Sequence, residues 1–116
     1  MARILSVSYH ESLLESRRLL LEAKGYNVIS ALGFSQAILH CKQGGFDLFI
    51  LGHSIPLLDK QELIREFRAH CPSPIISLTR VTEPPVDGAN FHVYPDPKAL
   101  LETVAQILNG AKGKQG

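Results

Sequence analysis

The stretch Phe46-Asp47-Leu48-Phe49-Ile50-Leu51-Gly52-His53-Ser54-Ile55-Pro56 carries an apolar run with no polar alternation, followed by a glycine, a short polar segment and a proline. An uninterrupted apolar run of this length reads as a strand buried on both faces, as in a parallel sheet covered by helices on either side. In open parallel sheets, ligands and chemistry gather just beyond the carboxyl ends of the strands. The residue that ends this run is Gly52, which brings no side chain to that position.

Working outward, the segments on both sides alternate between short apolar runs and helical patterns. Arg3 to Ser8 reads as a first strand, Tyr26 to Ala31 as a second and Ile75 to Leu78 as a fourth. Phe91 to Tyr94 makes a short fifth. Between the first two strands, Leu13, Leu14, Leu20 and Leu21 recur at helical spacing, with Arg17, Arg18 and Lys24 expected to face water. Ser12 and Glu15 form a capping-box pattern at the start of that helix, and Gly25 is its expected C′ residue. A second helix is expected from Phe34 to Lys42, with Ala37, Ile38 and Cys41 inward and Gly44-Gly45 ending it. Asp59 and Glu62 form a second capping-box pattern for a third helix, which buries Leu63, Ile64 and Phe67. Asp96-Pro97 is an N-cap followed by proline at N1, and it opens a last helix that Gly110 ends. Between Thr79 and Phe91 stands Pro84-Pro85; two adjacent prolines remove donors and clash with helical backbone.

This order predicts an α/β fold, a flavodoxin-like doubly wound sheet of five parallel strands in the order 2-1-3-4-5, with the fourth helix shortened or absent. Residues 1–110 are expected to form one domain and residues 111–116 a disordered tail. With 116 residues the chain can bury a core without disulfides or metal. Its net charge of +1 gives no footprint for nucleic acid or an acidic membrane. No apolar run is long enough to cross a bilayer, and no signal-peptide pattern opens the chain, so the expected location is cytoplasmic. Cys41 and Cys71 lack metal-ligand spacing, and no P-loop, dinucleotide-binding, metalloprotease or hydrolase motif occurs. Neither an enzyme activity nor a cofactor is expected.

In order along the chain, several short markers carry a resemblance. They are Ile4-Leu5-Ser6-Val7 before a polar loop, Gly25-Tyr26, the Phe46–Pro56 stretch, Asp59, Ile75-Ile76-Ser77-Leu78-Thr79, Gly88-Ala89 and Tyr94-Pro95. With these in register over almost its whole length, the chain resembles the receiver domain of bacterial two-component response regulators. The resemblance implies phosphoryl transfer to an aspartate ending the third strand, a Mg²⁺ held by an acidic pair after the first, a Ser/Thr after the fourth and a lysine after the fifth. Carried over, the acceptor position falls on Gly52, the acidic pair on Ser8 and Tyr9, and the lysine on Tyr94. Only Thr79 matches, and Phe91 matches the switch aromatic. The segment between Thr79 and Phe91 is also shorter than in the family by about two helical turns.

The reading is therefore a stand-alone pseudo-receiver without catalytic residues, acting in a signalling pathway through a protein partner and independently of phosphorylation. Its surface would be the fifth strand, the last helix and the Pro84-Pro85 loop, a face that a shortened fourth helix would also open to a homodimer. Other readings set beside it are a small-ligand or metal sensor in a pocket lined by Ser8, Tyr9, His10, His53 and Thr79, and a redox switch of Cys41 and Cys71. For a metal the candidate ligands are His10, Glu11 and His53. Ser54 lacks the activating groups that a hydroxyl acceptor needs.

Overall fold

The computed structural model describes residues 2–113. Five strands, β1 (Arg3–Ser8), β2 (Asn27–Leu32), β3 (Leu48–Leu51), β4 (Ile75–Leu78) and β5 (Phe91–Val93), alternate with four helices, α1 (Glu11–Glu22), α2 (Phe34–Gln43), α3 (Leu57–His70) and α4 (Pro97–Gly113). All pairings are parallel and the order is β2-β1-β3-β4-β5, as the alternating pattern predicts. Counted along the chain, the fourth helix is present and is the longest, so the expectation that it is shortened or absent does not hold as stated. The link from β4 to β5 runs through Pro84-Pro85 as a loop.

Side-chain alternation along the central strands feeds two apolar layers. Leu5, Val7, Phe49, Leu51 and Ile75 face α2 and α3, where they meet Ala37, Cys41, Leu63 and Phe67. Ile4, Leu48, Ile50, Ile76 and Leu78 face α1 and α4, against Leu21, Leu100 and Val104. Because β3 is buried along its whole length, it needs apolar residues at every position, which explains the missing alternation in Leu48–Leu51. Phe49 and Phe67 stack with ring centroids 4.3 Å apart and lock α3 onto the sheet.

The helix starts differ from the sequence expectation. α1 begins at Glu11 with His10 at its N-cap, and α3 at Leu57 with Pro56 there; neither has a side-chain cap. Ser12 and Asp59 thus lie inside the first turns, because the chain enters each helix directly from the strand-end loop. Asp96 does cap α4, its Oδ2 accepting from Ala99 N at 2.9 Å. Gly25, at φ 93°, closes α1: its N–H reaches Glu22 O and that of Tyr26 reaches Leu21 O. This is the Schellman pattern, in which the C′ residue adopts a left-handed conformation. α4 runs to Gly113, past Gly110 where the sequence reading ends it, and residues 114–116 of the expected tail lie outside the described residues.

The β4–β5 loop is tied down without a helix. Arg68 on α3 donates to Ser73 O, Gly88 O and Asn90 Oδ1, and the same Asn90 oxygen accepts from Ile75 N at 2.8 Å. Val86 is buried in the α2–α3 layer, and its carbonyl meets His92 Nε2 at 2.8 Å.

Candidate functional site

At the carboxyl end of the sheet, Gly52 follows β3 directly, and its N–H donates to Val7 O at 2.9 Å. A Cβ at this position would lie 2.9 Å from Arg17 Nη1, 3.1 Å from Val7 O and 3.4 Å from Ser8 Cβ. Its φ is not in the left-handed region, so close packing and not backbone freedom is what a side chain here would confront. Gly52 thus leaves room for a guanidinium.

That guanidinium belongs to a residue the sequence reading places in water. Arg17 is only 8% exposed. One turn of α1 separates it from the buried Leu14 and Leu21, on the face turned to the sheet. Burial pulls its pKa below the usual arginine value. Arg17 Nη2 stands 3.2 Å from His53 Nδ1, and Nη1 is buried without a hydrogen-bond partner. An unpartnered buried donor costs about 1–3 kcal/mol, more when charged.

A second cation is also buried. Lys60, on α3, is 3% exposed, and its Nζ donates to Ser77 Oγ at 3.0 Å and Leu78 O at 2.9 Å. Burial lowers its pKa, and the nearby Glu83 carboxylate counteracts that shift. Ser77 Oγ also lies 3.3 Å from Thr79 Oγ1. Neither Arg17 nor Lys60 is within salt-bridge distance of a carboxylate among the described residues. Helical periodicity could have flagged both, since Arg17 falls on the Leu14–Leu21 stripe and Lys60 falls one turn before Leu63 and Ile64.

The remaining candidates separate. Ser8 Oγ stands 3.3 Å from Ser54 Oγ and accepts from His10 N at 3.1 Å. Tyr9 donates its hydroxyl to Asp59 Oδ2 at 2.6 Å; burial first, then this bond and the Asp59 charge, raises its pKa far above the ordinary tyrosine range. Tyr94 is 55% exposed and Phe91 40%. The residues at the family's Mg²⁺ positions therefore do not fit the ion. Ser8, Tyr9 and Gly52 bring no carboxylate, Asp59 is engaged by Tyr9, and a guanidinium occupies the space beside Gly52.

The alternative metal site is not assembled either. Among the described residues no group of three or more His, Cys, Asp or Glu stands where it could hold a metal ion, so His10, Glu11 and His53 do not converge. His53 Nδ1 faces Arg17, and a neighbouring cation opposes metal binding. The expected pocket over Ser8, Tyr9, His10, His53 and Thr79 is also displaced. Ser8 is buried against Ser54, His53 lines a cavity on the α1–α4 side, and Thr79 lines a separate one with Val81 and Tyr94. Cys41 is buried and its thiol is pushed up to about 11, by burial first and then by Cys71 and Glu66. Cys41 Sγ and Cys71 Sγ meet the carbonyls of Glu66 and Phe46. A thiol held protonated in this way is a weak nucleophile.

His53 gives a pH prediction. Burial, then Arg17 and Arg80, hold its pKa below the usual 6.5. Between that lowered value and 6.5 the unfolded chain binds a proton that the folded chain does not, so stability falls as pH falls through this window. Urea titrations from pH 7.5 to 4.5 should show this loss, and His53→Asn should flatten it; an unchanged profile in the variant would assign the loss to other groups.

Comparison with solved structures identifies the architecture. The response regulator TrrA from Thermotoga maritima, solved with Mg²⁺ and BeF, superposes with a TM-score of 0.82 at 27% identity, covering 93% of this chain and 100% of that one. The fold is that of the receiver domain. A CheY-like receiver protein from Methanospirillum hungatei gives a TM-score of 0.81 at 22% identity over 100% of this chain and 99% of that one. TrrA in complex with the histidine kinase ThkA gives 0.78 at 27% identity over 93% of this chain and 99% of that one. No protein-family model and no curated protein matches the sequence. The receiver fold brings Gly52, Ser8, Tyr9 and Thr79 to one end of the sheet, and no helix among the described residues is long and apolar enough to cross a membrane.

Proposed function

We propose that this chain is a pseudo-receiver, a signalling module that works by contact with a protein partner and takes up no phosphoryl group. The observation that carries this reading is the Arg17 guanidinium 2.9 Å from where a residue-52 side chain would begin. A phosphoacceptor needs an anionic nucleophile and a metal to offset the incoming charge. Here the acceptor position is a glycine with the Arg17 guanidinium beside it, and Ser8 and Tyr9 stand at the positions of the metal carboxylates. The role is non-enzymatic and belongs to two-component signalling, by likeness to TrrA, which was solved bound to a histidine kinase.

The contact surface in this reading is the β5–α4 face with the Pro84-Pro85 loop. Val81 is 75% exposed there and lines one shallow cavity with Tyr94, and Phe91 on β5 is also exposed. Aromatic residues with a polar tip or edge are favoured at interfaces.

The test is incubation with acetyl phosphate and Mg²⁺, read by intact mass. The expected result is an unchanged mass under conditions that phosphorylate an aspartate-bearing receiver run as a positive control. A stable adduct of one phosphoryl group would overturn the reading.

A further inference from the structure

The cavity on the α1–α4 side of Gly52 has a volume of about 110 Å³. Leu13, Leu20, Leu78 and Leu100 supply apolar wall, and Arg17 and His53 line it where it approaches the end of β3. Asp96 also lines it, but its Oδ2 is already the N-cap acceptor for Ala99 N. Two independent features therefore meet here. One is a half-open cavity whose wall is mostly apolar, from leucines and prolines. The other is a guanidinium more than nine-tenths buried, whose unpartnered Nη1 packs against Gly52 and meets an occupant of the cavity by swinging off that glycine.

We propose that this cavity is a binding site for a small organic carboxylate, its head on Arg17 and a short apolar tail among the leucines. The proposal rests on the reading that residue 52 is not a phosphoacceptor, and it gives that same end of the sheet a noncovalent ligand. The lining selects the class. A guanidinium offers a planar pair of donors that fits a carboxylate, and such charge-assisted bonds are the strong ones. The lining sets one cation, Arg17, against the Asp96 carboxylate that caps α4, a balance that suits a monoanion with hydrocarbon attached better than a phosphate dianion. The volume sets the size. A water needs about 10–15 Å³ of such space, so the cavity takes a ligand of only several heavy atoms. Lys60, which enters from α3 and bonds Ser77 and Leu78, is not in the lining and is not needed.

The ligand would also have a mechanical consequence. Pro95, Asp96 and Pro97, at the turn from β5 into α4, line the same cavity. An occupant held by Arg17 on α1 would therefore bear on the start of α4, part of the face proposed for the protein partner.

The test uses the whole chain with uniform ¹⁵N label. Acetate, butyrate and hexanoate are titrated, with butanol, butylammonium and inorganic phosphate as controls. Saturable shifts are expected at Leu13, Arg17, Leu78 and Leu100 for butyrate, at least tenfold tighter than for butanol or phosphate, with none for butylammonium. Arg17→Met should keep the dispersed spectrum and lose that preference for the anion at least tenfold. Leu100→Phe, which fills the cavity from the far wall and leaves Arg17 in place, should abolish tail-length dependence. Equal binding of butyrate and butanol, or no saturable shift, would overturn the proposal. Phosphate binding more tightly than butyrate would overturn the ligand class. A mass increase with acetyl phosphate would instead strike the pseudo-receiver reading, and the two failures are thus distinguishable.

Discussion

Gly52→Asp is expected to be more stable than Gly52→Ala by about 1.5–3 kcal/mol, the range for a hydrogen bond to a charged group. The comparison is built to separate two effects of opposite sign. Any side chain at residue 52 meets Val7 O at 3.1 Å, a backbone atom that must give, and Arg17 Nη1 at 2.9 Å, the far end of a flexible side chain that can swing away. Alanine suffers that crowding and gains nothing, at a cost of about 1–3 kcal/mol relative to glycine. Aspartate suffers the same crowding but supplies a carboxylate to a buried guanidinium whose Nη1 has no partner. In an Arg17→Met background the advantage of aspartate over alanine should vanish or reverse, because a buried carboxylate would then be unpaired. Urea denaturation of these four variants gives the coupling energy; a value below about 0.5 kcal/mol would mean that Arg17 does not hold this space in solution. The same variant should fail to take up a phosphoryl group from acetyl phosphate, since Arg17 pairs with the nucleophile and no metal carboxylates are restored.

Phe67→Ala should cost about 3–5 kcal/mol, the largest stability effect expected of a single substitution here. Phe67 is fully buried and stacks on Phe49 at an interplanar angle of 17°, so truncation removes both transfer energy and the facing ring's contacts. For a domain of this size that approaches a third or more of typical total stability. Chemical denaturation followed by far-ultraviolet circular dichroism measures it. A loss under 1.5 kcal/mol would show that α3 is held to the sheet by something other than this stack. Phe67→Leu should recover much of the loss, because it refills most of the volume.

The substitutions above also show what could be read beforehand. Phe67 was legible, since Leu63, Ile64 and Phe67 recur at helical spacing and buried stripes follow that period. Arg17 obeys the same period, yet its charge outweighed its position in the sequence reading. Cations are rarely fully buried, and only the space left by Gly52, on a different element, makes an exception here. The acceptors that allow Lys60 to be buried are likewise remote: Ser77 Oγ and Leu78 O lie on β4, and no local pattern connects them to α3. The capping boxes failed because Ser12 and Asp59 have the right residue types for a cap but lie past the point where each helix begins. In Asp59 the carboxylate went instead to Tyr9 across the sheet end.

By itself the sequence determined the strand and helix order, the strand arrangement and the fact that Gly52 ends β3 without a side chain. These follow from local properties: apolar runs, helical periodicity, turn residues and the fixed hand of crossover connections. Only the tertiary structure decided what fills the position that Gly52 leaves open. That answer depends on the distance between α1 and the end of β3, and no sequence spacing encodes it. Packing alone brings the Arg17 guanidinium there, dry and lacking a partner on one nitrogen.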